Sequence, residues 1–339
     1  MKVALIIGAC EPGKCGVGDY TIRLAEALRN AGIDVEVINT GDWSIADAIK
    51  EKRFLSRFDI LHLQYPTSGF GRSLGPQLFS ILSPTITTIH EASQRKFLRK
   101  LSLFPFALRA RHLIFTSSFE RRFAVRFAPW TAKHTSVIPV GTNINVMPAQ
   151  RSALSPEIIY FGLIMPNKGL EQVIQLASLI KGAGFPYSVN IVGQVPVGRE
   201  GYFQQLRNQA ADLPVVWNQN LADEQVAQVL NQSSVAYLPY PDGASDRRTS
   251  LKSALAAGLA VITNRGEHTS PSLAKSVLLS ATPQEALSNL QILFSDSSVR
   301  EALSMRAIDY SHRFSWERIA RLHMKVYRSV CFRRADLTV

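Results

Sequence analysis

The stretch Tyr237-Leu-Pro-Tyr-Pro-Asp242-Gly243-Ala-Ser245-Asp-Arg247-Arg248-Thr249-Ser250-Leu251 decides how this chain is read. An apolar run from Ser234 to Pro239 ends in a turn of Pro, Asp, Gly and Ser. Two arginines and two hydroxyl residues then lead into an Ala-rich helix that Gly258 stops. Strand, polar loop and helix start in that order leave free N–H groups at a helix N-terminus, where anions bind, and arginine is the side chain best shaped for phosphate oxygens. An isolated Arg pair is usually a solvated surface feature. Here the next strand, Leu259 to Thr263, follows at once, completing a β–loop–α–β unit, and the stretch reads as a diphosphate cradle.

The same alternation runs through the whole chain of 339 residues, a length that suits two domains. In the first half, strands are expected at 2–8, 34–39, 59–64, 85–89, 112–116 and 135–139, and helices at about 18–31, 44–54, 73–82, 93–110 and 118–127. A polar linker from Asn143 to Pro156 breaks the pattern, and a second series of strands and helices follows. Short connections between alternating elements imply parallel, doubly wound sheets. The expected architecture is α/β: two Rossmann-like domains facing a central cleft, with ligands at the strand C-termini. The expected boundaries are 1–145, 146–313 and a closing segment 314–339.

Composition is ordinary for a globular protein, at 46% hydrophobic and 19% charged, but the net charge of +12 is not. Residues 93–133 carry ten basic residues (Arg95, Lys96, Arg99, Lys100, Arg109, Arg111, Arg121, Arg122, Arg126 and Lys133) against one acid, Glu120. Phe97, Leu101, Phe104, Phe106, Phe123, Phe127 and Trp130 are interleaved with them. This pattern suits an anionic membrane surface better than a solvated face, with nucleic acid ranked lower. Three cysteines without a paired framework indicate a reducing compartment, and no apolar run reaches the roughly 20 residues that span a bilayer. The expected location is cytoplasmic, peripherally associated with the inner face of the membrane.

Gly8 to Cys15 nearly matches a P-loop, but Cys15 stands where Ser or Thr must hold Mg²⁺, and the helix is expected only after Gly18, with Asp19 as its N-cap. No GxGxxG follows the first strand. What remains is a Gly-rich loop, Gly16-Val-Gly18-Asp19-Tyr20, opening onto a helix. Other strand ends present Gln64 and the pair His90-Glu91, whereas His62, inside an apolar strand, reads as a core histidine. Lys168 stands at a helix start, where a cation opposes the dipole unless an anion is bound.

Together these residues resemble the retaining GT-B glycosyltransferases of glycosyltransferase family 4. The likeness runs from Gly16-Val-Gly18-Asp19-Tyr20 through Thr88-Ile-His90-Glu91, Ile138-Pro-Val-Gly141, Lys168-Gly169 and Pro241-Asp242-Gly243 to Gly258-Leu-Ala-Val-Ile-Thr and Phe314-Ser-Trp-Glu317. The resemblance implies metal-independent transfer, with retention, from a nucleotide-diphosphate sugar held by the C-terminal domain to an acceptor held by the N-terminal one. No cofactor is implied, and the last helix is expected to cross back to the first domain. Carried over, His90 would be the catalytic contact to the sugar. Gly16, Gly18, Lys168, Asp242, Gly243, Ser245, Arg247, Arg248, Thr249 and Ser250 would hold the donor, and Asp19, Tyr20, Gln64 and Glu91 the acceptor. The chain departs from the family in two places. The arginine before Lys168 is missing, with Leu163 nearest, and the paired glutamates are replaced by Ser253 and by Ser245 or Asp242. The acceptor is expected to be lipid-linked or a polysaccharide. A catalytically inactive binding protein and a nucleotide-sugar epimerase on the same fold are the alternatives.

Overall fold

The structure is a computed structural model, and residues 1–8, 15–91, 101–142, 144, 146 and 156–335 are described. Cys10, most of the Gly8–Cys15 loop, Arg95, Lys96, Phe97, Arg99, Lys100 and nearly all of the linker lie outside them. The chain forms two compact units, Met1–Gly141 with Phe314–Val339, and Thr142–Arg313.

In the first unit, β1 (Lys2–Ile7), β2 (Asp34–Asn39), β3 (Ile60–Tyr65), β4 (Ile86–Ile89), β5 (His112–Phe115) and β6 (Thr135–Val137) form one parallel sheet. Its order is β2-β1-β3-β4-β5-β6. Side chains alternate along β1. Val3 and Leu5 join Leu24 and Leu28 of α1 (Gly16–Asn30) on one face, while Ala4 and Ile6 join the layer of α2 (Ile45–Leu55), α3 (Gly75–Leu82), α4 (Phe104–Arg109) and α5 (Ser118–Phe127) on the other. A sheet covered on both faces needs apolar residues at both parities, as β1 has. The α1 helix begins at Gly16, not after Gly18, because the Cys15 carbonyl already accepts the Asp19 N–H at 3.0 Å. Asp19 therefore sits in the first turn, favourable to the dipole, and is not the N-cap.

The second sheet runs β12-β11-β10-β7-β8-β9, built from β7 (Glu157–Phe161), β8 (Ser188–Gly193), β9 (Val215–Gln219), β10 (Val235–Leu238), β11 (Ala260–Thr263) and β12 (Leu278–Leu279). Read from β9, this is the strand order of a doubly wound nucleotide-binding sheet, reversing direction between β7 and β10. Its helices are α6 (Leu170–Gly182), α7 (Glu200–Gln209), α8 (Asp223–Gln232), α9 (Thr249–Ala256), α10 (Pro271–Ala274), α11 (Pro283–Ser295) and α12 (Ser297–Ser311). Among the described residues no helix is long and apolar enough to cross a membrane.

The last helix, α13 (Trp316–Ala335), packs in the first unit, where Ile319, Ala320, Tyr327 and Val330 complete the α1 face of the core. Its Tyr327 hydroxyl lies 2.7 Å from Nδ1 of His62, a fully buried residue of β3 whose Nε2 lies 2.7 Å from Thr88 Oγ1. His62 is thus a satisfied core histidine. Tyr327→Phe keeps the ring and leaves that nitrogen unpaired, so the first unit should lose about 1–3 kcal/mol, read as a lower urea midpoint with unchanged slope.

Candidate functional site

In the second unit the strand order reverses between β7 and β10, so the loops after these strands flank the position where doubly wound sheets bind ligands. The loop after β7 ends at Lys168 and that after β10 at Arg248, directly before α9. Gly169 lets them meet. Its φ of +82° is left-handed, and a Cβ there would lie 1.6 Å from the Pro239 carbonyl oxygen, a contact only glycine permits. Tyr160 ties the first loop down by donating its hydroxyl to the Lys168 carbonyl at 3.2 Å.

The charges this brings together are of one sign. Lys168 is half-buried, and its pKa is lowered first by burial and then by the positive charge of Arg248. Arg248 pairs with Asp242 and lies over the Tyr240 ring, 4.9 Å from its centroid. Tyr240 Oη is in turn 2.9 Å from Ser250 Oγ in the first turn of α9. Two like charges beside a helix N-terminus give a local field that an anion would relieve. Asp242 is mostly exposed and screens Arg248 only partly.

Of the Arg pair, Arg248 is the member that acts on Lys168, whereas Arg247 is exposed and has an interaction of its own. Thr249 and Ser250 occupy the first turn of α9, and Ser245 is buried. Gly243 has a structural role in the loop. Its N–H is spent on the Tyr240 carbonyl at 2.9 Å, and it is pressed against Gly266 at a φ of +84°. It shapes the loop. Ser253, at the position of the inner glutamate, is buried, and its hydroxyl has no hydrogen-bond partner among the described residues. Tyr160, Tyr240 and Lys252 were not anticipated. Lys252, in α9, is buried, with burial pushing its pKa down to about 8 against the opposing pull of Asp246. The available signal was a single lysine inside an apolar helix.

In the first unit, His90 follows β4, half-buried, with Nε2 2.9 Å from Gln64 Oε1. Tyr20 meets it edge-on at a ring separation of 4.9 Å. Burial, and then the neighbouring His323, push the His90 pKa down to about 3, so the ring is neutral near pH 7. Gln64 and Tyr20 were expected to touch an acceptor, yet they are 0% and 2% exposed. The Gln64 amide is spent on His90 and His62, and the Tyr20 hydroxyl lies 3.3 Å from His323 Nε2. Both are corrected to interior supports of His90. Asp19 and Glu91 are half-buried, each with an interaction of its own. Gly16 is exposed with open space around it, whereas Gly18 is buried in the first turn of α1.

No protein-family model matches the sequence, and no curated protein matches it. Solved structures do. Anabaena HepE in complex with UDP and glucose superposes with a TM-score of 0.69 at 16% identity, covering 97% of this chain and 100% of that one. The fold is GT-B. A glycosyltransferase from Rickettsia africae gives a TM-score of 0.73 at 14% identity, over 97% of this chain and 98% of its own. Sucrose-phosphate synthase from Thermosynechococcus elongatus gives 0.69 at 18%, over 97% and 99%. Each unit of this GT-B chain thus carries a full doubly wound sheet, as its own strand order requires.

Three histidines bear on stability. Burial lowers His62 well below its usual 6.5, His90 to about 3 and His323 to about 4. The unfolded chain therefore binds more protons than the fold below pH 6.5, and stability should be complete above that value and fall on acidification toward pH 4. Each such histidine adds about 1.4 kcal/mol per pH unit. Chemical denaturation across this window should show the slope, and His323→Gln should flatten it.

Proposed function

We propose that the chain is a glycosyltransferase that binds a nucleotide-diphosphate sugar in its second unit and an acceptor in its first. The observation that carries the donor half is the pairing of Lys168 with Arg248 at the β7/β10 reversal, beside the first turn of α9. A diphosphate would relieve their mutual repulsion and use the N–H groups of Thr249 and Ser250. Binding of UDP by the structural neighbour HepE supports a uridine nucleotide as the first donor to test.

In this reading a neutral His90 contacts the transferred sugar, and transfer proceeds with retention and without a metal ion, as in the resembled family. The anomer formed first, read by proton NMR, decides retention. Ser253 in place of a glutamate favours the second reading, a nucleotide-binding protein without turnover. Product formation separates the two.

Lys168→Ala and Arg248→Ala should each weaken UDP binding by about 1–3 kcal/mol, the scale of a lost charge-assisted hydrogen bond, with Arg247→Ala weaker in effect. Calorimetry showing wild-type affinity in both would remove the cradle.

The acceptor side is proposed to lie at an anionic membrane surface, with a lipid-linked or polysaccharide acceptor. The support is exposed Phe104, Leu108, Phe127 and Trp130 interspersed with exposed Arg109, Arg122, Arg126 and Lys133. Such residues combine shallow insertion with about 1 kcal/mol of attraction per basic residue near the surface. Co-sedimentation with phosphatidylserine vesicles should fall with salt and fall further when these four basic residues become Gln. Equal binding to neutral vesicles would leave the patch a solvated face.

A further inference from the structure

We propose that Gln64 is a positioning residue that locks His90 in its Nε2–H tautomer, leaving Nδ1 as a hydrogen-bond acceptor for a sugar hydroxyl. The proposal rests on the reading that His90 meets the transferred sugar. An amide has one end that only accepts and one that only donates, and Gln64 is held between two imidazoles. Its Oε1 is 2.9 Å from His90 Nε2, so that nitrogen must carry the hydrogen. Its Nε2 is 3.2 Å from His62 Nε2, which must then accept.

The rest of the network is satisfied with the amide facing this way, and the His90 tautomer tests that orientation. With Nε2 of His62 accepting, its hydrogen sits on Nδ1 and is donated to the Tyr327 hydroxyl at 2.7 Å, while the Thr88 hydroxyl donates to Nε2 at 2.7 Å. Turning the amide over would set its NH₂ against His90 and its carbonyl against His62, reversing both tautomers and the direction of donation to Tyr327. A second anchor holds the ring plane. His323 Nδ1–H donates to the Ile319 carbonyl at 2.9 Å, so its Nε2 accepts from the Tyr20 hydroxyl at 3.3 Å, and Tyr20 braces the His90 ring edge-on. Residues of α13 thus reach His90 by two routes, through Tyr327–His62–Gln64 and through His323–Tyr20. His90 Nδ1 has no partner among the described residues. A neutral imidazole with an open lone pair accepts from a hydroxyl; the opposite tautomer would instead donate its N–H to the hydroxyl oxygen, reversing the direction of the bond.

The test is side-chain ¹⁵N NMR of the full chain labelled at histidine, with His90 assigned through His90→Gln. Wild type should show His90 as the Nε2–H form. Gln64→Leu should show mixed tautomers and at least a tenfold lower turnover number, with UDP affinity unchanged. Gln64→Glu keeps an acceptor for Nε2–H and should retain the tautomer and recover part of the turnover. An Nδ1–H or mixed form in the wild type overturns the proposal even if Gln64→Leu does not fold, as does a tautomer indifferent to Gln64. A tautomer lost in Gln64→Leu without loss of turnover overturns it through its premise, the sugar contact. Absence of turnover in wild type with an Nε2–H His90 that depends on Gln64 upholds the lock and removes the glycosyltransferase reading instead.

Discussion

Lys168 is held where burial and the neighbouring Arg248 make its charge less favourable, and the loops around the two hold them there. Gly169 permits the contact with Pro239, Tyr160 fastens the Lys168 carbonyl, and Tyr240 supports the guanidinium from below. Without a ligand such an arrangement costs free energy, since burial and like charge both disfavour the ammonium. The cost is tolerable because the loops hang from β7 and β10, whose pairing from Val235–Ile158 onward sits in a buried sheet. Local strain in loops, offset by a rigid scaffold, is the usual division of labour between loops and sheets.

The first unit solves a different problem. Imidazoles, tyrosines and an amide are buried together, and their hydrogen bonds form a directed chain with no ionised member. Burial holds His62, His90 and His323 neutral, which spares the interior unpaired charge and leaves each ring one donor and one acceptor nitrogen. Because His323 and Tyr327 belong to α13, the end of the sequence supports a residue that follows β4, and the terminal helix does more than cover a sheet face.

Much of the fold was legible because parallel sheets are written as apolar runs alternating with amphipathic helices. The runs at 34–39 and 112–116 appear almost unchanged as β2 and β5. Lys168 stood out in the sequence because a cation at a helix start is locally unfavourable, and the structure sets it beside Arg248. The start of α1 was misread, since Asp19 looks like a cap although the Cys15 carbonyl begins the ladder earlier. Gln64 and Tyr20 were misread for a deeper reason. A polar residue at a strand end, as Gln64, or in a Gly-rich helix start, as Tyr20, looks ligand-facing in sequence, and only its partners, 26 and 303 positions away, show that it faces inward. Gly243 makes a close backbone crossing with Gly266, a role of glycine that the sequence does not separate from ligand binding. Choosing Arg248 over Arg247 required knowing which way an N-cap side chain turns, which adjacent identical residues do not encode.

The central claim is that the second unit recognises a diphosphate through Lys168 and Arg248. It is tested most directly by comparing UDP, UMP and uridine by calorimetry at low and moderate salt. The account predicts that UDP binds at least 100-fold more tightly than uridine, with UMP between them and the gap narrowing as salt rises. Equal affinities for UDP and uridine, or a gap indifferent to salt, would contradict it.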